Sequence, residues 1–263
     1  MGKAILKAGI FGGCYGLVVQ AFFTIYSLIW PTTNYLAAMA LCTGGLVVGI
    51  LYVFGIIQKI EPHAGFGGIL PLIGVTSMVS NVLNDARKKD KKTVVDGFWS
   101  GAKPSMLMLM SGMIVSLVIA RLATNALGPM GALPVTPPAQ ASVAMQFVWT
   151  FVIMFVLSVI GQVLLMTLKP TFTGVMGILF SYYVVGSLLG CFGISQTLLA
   201  LGPGGFVTSI LGAGEFVFTS VWIADGGVTF TRLVVFTGLI ASMYVWGTLA
   251  ALIRGRLHPD EIK

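Results

Sequence analysis

The chain has 263 residues, of which 57% are hydrophobic and only 9% are charged. About a quarter of the residues in a soluble globular domain are charged, so this composition excludes a soluble domain and predicts an integral membrane protein. The net charge of +7 lies mostly beside apolar runs, where Lys and Arg set membrane topology, and it therefore gives no sign of nucleic-acid binding.

Six apolar runs are long enough to cross a bilayer, because a spanning helix needs about 20 residues. The first run follows a basic start, but it is too long for a signal peptide and ends in no small-residue cleavage site, which predicts a retained span. The cysteines at positions 14, 42 and 191 lie inside apolar runs and indicate neither a disulfide framework nor a zinc site. The predicted spans cover residues 8–30, 36–58, 100–122, 144–168, 172–196 and 230–253.

Two further apolar segments, residues 64–84 and 200–224, contain too much glycine for ordinary membrane helices. The stretch "AGFGGILPLIG" at 64–74 has four glycines and one proline in eleven residues, and "LGPGGFVTSILG" at 201–212 is similar. Lipid cannot satisfy the polar groups of irregular backbone, so such segments must be buried in protein or line a wet cavity. We expect each segment to be a broken helix that re-enters the membrane; eight ordinary spans are the alternative.

Positive charge favours the re-entrant path. With both segments returning and a cytoplasmic N-terminus, thirteen of the fifteen Lys and Arg residues lie on the cytoplasmic side, as do both termini. This bias has the sign that membrane proteins show, whereas a full span over 64–84 would place "RKKDKK" outside. Only Arg121 and Arg232 lie outside, and the inside set is Lys3, Lys7, Lys59, Arg87, Lys88, Lys89, Lys91, Lys92, Lys103, Lys169, Arg254, Arg256 and Lys263.

The halves of the chain share four short motifs in the same order. "GLVVQ" at 16–20 matches "SVIGQ" at 158–162, "FGIIQ" at 54–58 matches "FGISQ" at 192–196, "GFGG" at 65–68 matches "GPGG" at 202–205, and "DGFWSGAK" at 96–103 matches "DGGVTFTR" at 225–232. This order predicts a duplication, with repeats over 1–123 and 143–263 joined by a Pro/Gly-rich linker over 124–142. Three crossings per repeat would invert the second repeat relative to the first, as in many transporters.

The Gly-rich segments are the predicted functional site. A half-helix from about Pro71 to Asp85 would begin at membrane depth, where free N–H groups and the positive end of the helix dipole favour an anion. The second segment would repeat this arrangement, so that the two half-helices begin toward the centre from opposite sides. The candidate substrate residues are Gly65, Gly67, Gly68, Pro71, Thr76 and Ser77 in the first segment and Gly202, Gly204, Gly205, Thr208 and Ser209 in the second.

Three polar side chains add to this site. Glu215 is an acid at apparent membrane depth, and such residues are functional candidates; it is also the candidate ligand for a metal such as Ca²⁺. Pairing with a basic side chain near the interface is the alternative for Glu215. Gln20 and Gln162 lie within spans, where they either hydrogen-bond between helices or line a pore.

An enzyme is the least favoured class. His63 and His258 are the only histidines, the chain contains no G-x-S-x-G or H-E-x-x-H pattern, and "GFGG" lacks the G-K-[ST] of a phosphate-binding loop. No cofactor is therefore expected.

Three stretches resemble the stage V sporulation AC and AE family of membrane proteins: "GGCYGLVVQ" at 12–20, "AGFGGILPLIGV" at 64–75 and "VIGQ" at 159–162. That family has a GG…GQ first span and a Gly–Pro loop on a three-span module, so the chain resembles two such modules fused. Val19, Thr208 and Glu215 depart from the family pattern. The resemblance implies passage of dipicolinic acid, with calcium, across the membrane around a developing or germinating spore, together with other sporulation membrane subunits.

Three functional hypotheses follow. The first is a channel or transporter component for a small dicarboxylate, above all dipicolinate with Ca²⁺, in a bacterial cytoplasmic membrane such as the spore inner membrane. The second is a substrate-binding membrane subunit of a larger importer, and the third is a non-conducting assembly subunit. The expected partners are membrane lipid, the dicarboxylate, and either sporulation subunits or further copies of the chain.

Overall fold

The structure is a computed structural model that describes residues 2–33, 35–90, 93–127, 139–168, 171–222 and 228–259. Within these ranges the chain is helical, and its only extended pairing is a single isolated bridge. The middle of the predicted linker, residues 128–138, lies outside the described residues.

The helices of the first half are α1 (Gly2–Ile29), α2 (Leu36–Val53), α3 (Ile56–Ala64), α4 (Phe66–Ile69), α5 (Gly74–Asp90), α6 (Val94–Gly97), a π-helical turn (Phe98–Ala102) and α7 (Lys103–Leu127). The helices of the second half are α8 (Val143–Thr167), α9 (Phe172–Cys191), α10 (Ile194–Leu201), α11 (Pro203–Thr208), α12 (Ile210–Trp222) and α13 (Val228–Leu257).

The prediction of an all-α integral membrane protein is confirmed. By length and composition, six of the described helices can cross a membrane, namely α1, α2, α7, α8, α9 and α13. They correspond to the six apolar runs of the sequence. The side of the membrane on which the termini lie, and the inversion of one repeat relative to the other, stay predictions.

The two Gly-rich segments are broken into short helices. The first consists of α3, α4 and α5, and the second consists of α10, α11 and α12. Each begins at a glycine in the left-handed region, Gly55 with φ of +76° and Gly193 with φ of +72°, which turns the chain out of the preceding long helix. A side chain is strained at such a φ, which explains why both copies of the F-G-I motif keep glycine there.

The predicted start of the first half-helix at Pro71 is wrong by three residues, because α5 begins at Gly74. Pro71 lies in the link before α5, and its carbonyl accepts a hydrogen bond from the N–H of Gly74 at 2.8 Å. In the second segment it is Pro203 that occupies the first turn of a helix, α11, where a missing N–H removes no helical hydrogen bond.

Each broken segment folds back on itself. In the first segment the Asn81 side chain of α5 donates a hydrogen bond to the Glu61 carboxylate of α3. In the second, the Ser195 hydroxyl of α10 donates to the Glu215 carboxylate of α12 at 3.3 Å. The first and last helices of each segment are therefore neighbours.

Helices α1 and α8 pack against each other, and both contact α4 and α11. Small residues on α1 allow this close approach: Gly12 faces Ser158 of α8 so closely that a Cβ would lie 1.9 Å from the Ser158 Oγ. The short helices α4 and α11 are thus held against one helix pair, which positions the candidate site.

Candidate functional site

The two broken segments meet in the interior of the protein. An isolated antiparallel bridge pairs Pro71 with Ser209, and both residues are buried. Two backbone hydrogen bonds flank the bridge, from the N–H of Leu72 to the carbonyl of Thr208 at 2.7 Å and from the N–H of Ile210 to the carbonyl of Leu70 at 3.3 Å. We call this paired backbone, residues 70–72 and 208–210, the loop pair. Its two strands make equivalent contacts, as a local two-fold relation requires.

Glutamines from the first span of each half hold the short helix of the other half. Gln162 of α8 accepts a hydrogen bond from the N–H of Phe66, at the start of α4, at 2.8 Å. Gln20 of α1 accepts one from the N–H of Gly204, at the start of α11, also at 2.8 Å. The two side chains are 8% and 0% exposed. These contacts give Gln20 and Gln162 a role in fixing the loops, and Gln20 also joins α1 to α8 through Thr150.

Most of the N–H groups expected to bind an anion already donate to protein atoms. At the start of α5, the N–H groups of Gly74, Val75 and Thr76 donate to carbonyls three residues earlier. At the start of α12, the N–H of Gly212 donates to the Ser209 hydroxyl at 3.1 Å. A helix N-terminus binds an anion through N–H groups that lack other partners. In this structure these N–H groups are therefore satisfied by the packing around the loop pair.

Glycine lets each short helix touch α1. A Cβ on Gly67 would lie 1.9 Å from the carbonyl oxygen of Ala8, and a Cβ on Gly204 would lie 2.6 Å from the Cα of Gln20. At a rise of about 1.5 Å per residue, Ala8 and Gln20 are about 18 Å apart along α1. The two segments thus reach α1 at different levels before they meet at the loop pair.

A cavity of about 520 Å³ lies on one side of the loop pair, and we call it the Glu215 cavity. Leu72 of the loop pair forms part of its wall. Its walls are largely apolar, and its polar lining comes from Glu215, Thr33 and the glutamines at 140, 146 and 196. Glu215 is 7% exposed, and Arg232 on α13 interacts with it electrostatically.

A second cavity, of about 350 Å³, contains Ile210 of the loop pair in its wall. Its polar side chains are Glu61 from α3 and Ser77 and Asn81 from α5, and we call it the Glu61 cavity. Among the described residues that line either cavity, none is basic. Each cavity thus presents one carboxylate among apolar and neutral polar groups.

The walls of the two cavities are built from matching positions of the two halves. Gly74 and Val75 line the Glu61 cavity. Their counterparts in the second half, Gly212 and Ala213, line the Glu215 cavity. The acids do not match: Ser77 stands at the position of Glu215, and Leu199 stands at the position of Glu61. The backbone plan is therefore shared, whereas the carboxylate comes from a different helix on each side.

A smaller pocket of about 210 Å³ lies next to the Glu61 cavity, and we call it the Asn84 pocket. The Asn81 side chain lines both spaces. The pocket is polar and is formed where α2, α5 and α13 end, by Tyr52, Gln58, Asn84, Asp85, Lys88, Arg254 and His258 together with Asn81 and Gly255.

The structure separates the candidate residues named from the sequence into two groups. Gly65, Gly68 and Ser77 line the Glu61 cavity, and Glu215 lines the other. The rest are buried in the packing around the loop pair, namely Gln20, Gly67, Pro71, Thr76, Gln162, Gly202, Gly204, Gly205, Thr208 and Ser209.

Sequence reasoning missed Glu61 and Asn81. Glu61 lies in "QKIEPHA", whose charges are typical of a membrane edge, and Asn81 lies in an ordinary polar stretch of α5. The available signal was the spacing within the first segment. A helix that folds back on its neighbour brings together residues about 20 positions apart, as Glu61 and Asn81 are. Among the described residues, no group of three or more His, Cys, Asp and Glu side chains could hold a metal ion.

Comparison of the chain with family models, with curated proteins and with solved structures finds no match. The geometry of the two cavities and the loop pair is therefore the basis on which a function can be assigned.

Proposed function

We propose that the protein is a channel or transporter component in which a small solute passes between the Glu61 cavity and the Glu215 cavity by way of the loop pair. The observation that supports this best is the pair of matched cavities that share the loop pair as a common wall. A protein that only supports assembly has no need of two such cavities at equivalent positions. In the conformation described, the loop pair separates the cavities, so transport requires it to move.

The proposal includes the re-entrant, inverted arrangement. Gln58 and Asn84, near the two ends of the first segment, both hydrogen-bond to Tyr52 at the end of α2, at 3.2 and 2.9 Å. This supports a segment that enters and leaves on one side. The reciprocal glutamine contacts and the antiparallel bridge support two repeats related by an axis in the membrane plane.

The charge of the cavities favours a dicarboxylate that travels with its metal ion. A bare dianion would approach Glu61 in one cavity and Glu215 in the other, with no basic side chain among the described residues lining either. Like charges at close range in a site of low dielectric repel strongly. Calcium cancels the two charges of dipicolinate, and carboxylate and amide oxygens are suitable ligands for the calcium of the complex. We therefore favour dipicolinate with Ca²⁺, which the sequence resemblance also implies.

The proposed setting is a bacterial cytoplasmic membrane, with the spore inner membrane as the favoured case and both termini in the cytoplasm. Partner subunits or further copies of the chain complete the assembly in this proposal. A substrate-binding subunit of a larger importer uses the same cavities but moves solute only with its partners.

The test is dipicolinate flux into liposomes that contain the purified protein, measured with and without Ca²⁺. We expect flux above that of protein-free liposomes, faster with Ca²⁺, and slowed by Glu215→Gln. Ser181→Ala is the matched control, because Ser181 is exposed and bonds only within its own helix. Flux that appears only with partner subunits supports the importer reading, and the absence of flux under all conditions supports an assembly role.

A further inference from the structure

We infer that the Glu215 cavity binds a monovalent organic cation with apolar groups, such as an ammonium or phosphonium ion that carries alkyl or aromatic substituents. This ligand belongs to a different class from the solute of the proposed function. Its binding does not depend on transport and is tested without it. Only the expected block of dipicolinate flux by such a cation rests on the proposed function.

The Glu215 carboxylate supplies the charge that a cation needs. It lines the cavity although the residue is only 7% exposed, and its described hydrogen-bond donor is the neutral Ser195 hydroxyl at 3.3 Å. This distance is long for a hydrogen bond between two oxygen atoms, which is usually about 2.7–2.8 Å. A buried carboxylate is costly unless it is well paired, so a cation in the cavity stabilises it.

The rest of the polar lining is neutral. Arg232 of α13 acts on Glu215 electrostatically, but it is not part of the cavity wall, so it leaves the space in front of the carboxylate open. The described lining contains no basic side chain, and its other polar side chains are Thr33 and the glutamines at 140, 146 and 196. The lining is therefore net negative, which favours a cation and gives an anion no charged partner.

Aromatic side chains are a second feature of the cavity that suits an organic cation. Phe23, Phe216 and Phe236 lie in its wall, and the rings of Phe216 and Phe236 are stacked with their centroids 5.7 Å apart. Phe216 follows Glu215 directly in α12, so one helix brings both an acidic and an aromatic group to the wall. The faces of aromatic rings attract cations, and the attraction is stronger where water is excluded.

The size of the cavity favours an organic ion over a bare metal ion. Its volume of about 520 Å³ lies within the range of about 300–1,000 Å³ that small-molecule pockets occupy, and most of its lining is apolar. A hard metal ion such as Ca²⁺ needs several oxygen ligands, whereas Glu215 is the only carboxylate in the described lining. An apolar ion with a single charge fits this combination of one acid and many apolar groups.

The test measures binding of radiolabelled tetraphenylphosphonium to the full-length protein in a non-ionic detergent. Equilibrium dialysis gives the bound fraction, and protein-free micelles serve as the blank. Tetraphenylborate has the same shape and the opposite charge, so it reports the apolar contribution alone. We expect a single saturable site for tetraphenylphosphonium and no saturable binding of tetraphenylborate.

Variants identify the groups that hold the cation. Glu215→Gln should weaken tetraphenylphosphonium binding by about tenfold or more, because it removes the charge and keeps the size of the side chain, whereas Glu215→Asp should retain part of the affinity. Phe236→Leu should weaken binding by about threefold, the usual effect of losing one cation–π contact. Asp96→Asn is the matched control, because it removes an exposed carboxylate whose side-chain partner is Thr93. Size-exclusion profiles and thermal unfolding identify any variant that is not folded.

Two results would overturn the inference. Equal binding of tetraphenylphosphonium and tetraphenylborate would make the cavity a general apolar site. Folded Glu215→Gln protein that binds tetraphenylphosphonium as the wild type does would place the bound cation elsewhere.

The inference and the proposed function fail separately. If the protein carries dipicolinate, we expect tetraphenylphosphonium to slow the flux. Saturable tetraphenylphosphonium binding without any dipicolinate flux supports the cation site and removes the proposed function. Dipicolinate flux from a protein that does not bind tetraphenylphosphonium removes the cation site alone.

Discussion

The two broken segments have the same backbone plan and different chemistry. Each begins at a left-handed glycine, is held by a glutamine of the other half, and meets its counterpart in the loop pair. The carboxylate, however, comes from α3 in the first segment and from α12 in the second, and Glu61 is half-buried where Glu215 is 7% exposed. Shared geometry thus supports two equivalent cavities, and under the proposed function we expect the unmatched acids to give the two cavities different affinities for the solute.

The contact of each short helix with α1 gives the largest expected effect. Gly67→Val and Gly204→Val each place a side chain inside neighbouring backbone, at 1.9 Å from the Ala8 oxygen and 2.6 Å from the Gln20 Cα. We expect each to lower the free energy of unfolding by about 3 kcal/mol or more, measured as thermal unfolding in detergent. Gly238→Ala on α13, where a Cβ meets nothing within 4 Å, is the control and should be neutral or stabilising. Normal stability of Gly67→Val would show that this segment is not packed against α1.

The glutamine contacts come next. Gln162→Ala leaves the buried N–H of Phe66 without its partner and should lower the free energy of unfolding by about 1–3 kcal/mol. Gln20→Ala should lower it further, because the Gln20 oxygen accepts from both Gly204 and Thr150. The same unfolding measurement checks both. Equal losses, or a larger loss in Gln162→Ala, would contradict this order and would mean that the Thr150 contact adds no stability.

The six long helices and the position of the two irregular segments could be predicted from the sequence, because length, hydropathy and glycine content are local properties. The motif that ends at Gln20 and Gln162 also pointed to real contacts. The sequence alone could not show that these side chains cross to the opposite segment, since that depends on how α1 and α8 pack.

The site was predicted less well than the fold. Gly67 was predicted as a substrate residue, but in the structure it allows close approach by α1. The first N–H groups of the two half-helices were expected to be free, yet in the structure those of Gly74 and Gly212 donate to a turn carbonyl and to the Ser209 hydroxyl. Which donors remain free is a property of the packed interior. For the same reason the contact between Glu61 and Asn81 could not be predicted, because it depends on how α3 and α5 lie against each other.

The unmatched acids give a functional prediction of intermediate size. Under the proposed function, Glu215→Gln and Glu61→Gln should each slow calcium-dependent dipicolinate flux by about tenfold, which corresponds to a rise of about 1.4 kcal/mol in the free-energy barrier to transport. Flux from opposite sides, measured by changing which compartment holds the substrate, distinguishes the two cavities. Equal effects of both variants in both directions would show that the two acids act as one site and that the two cavities do not differ in affinity.

The smallest expected effect concerns a capping difference between α5 and α12. The Ser209 hydroxyl accepts a hydrogen bond from the N–H of Gly212 at 3.1 Å and so caps α12, whereas Pro71 at the equivalent position has no side chain that can cap α5. Ser209→Ala should therefore lower the free energy of unfolding by about 1 kcal/mol, the usual loss for an N-cap serine.

Ser111→Ala is the control for this variant, because Ser111 is exposed on α7 and its hydroxyl bonds only to the Met108 carbonyl of the same helix. We expect that substitution to leave the unfolding temperature unchanged or slightly raised, since alanine is the better helix former. If Ser209→Ala behaves like the control, the N–H of Gly212 has found another partner. The start of α12 would then be able to exchange partners, as a moving loop pair requires.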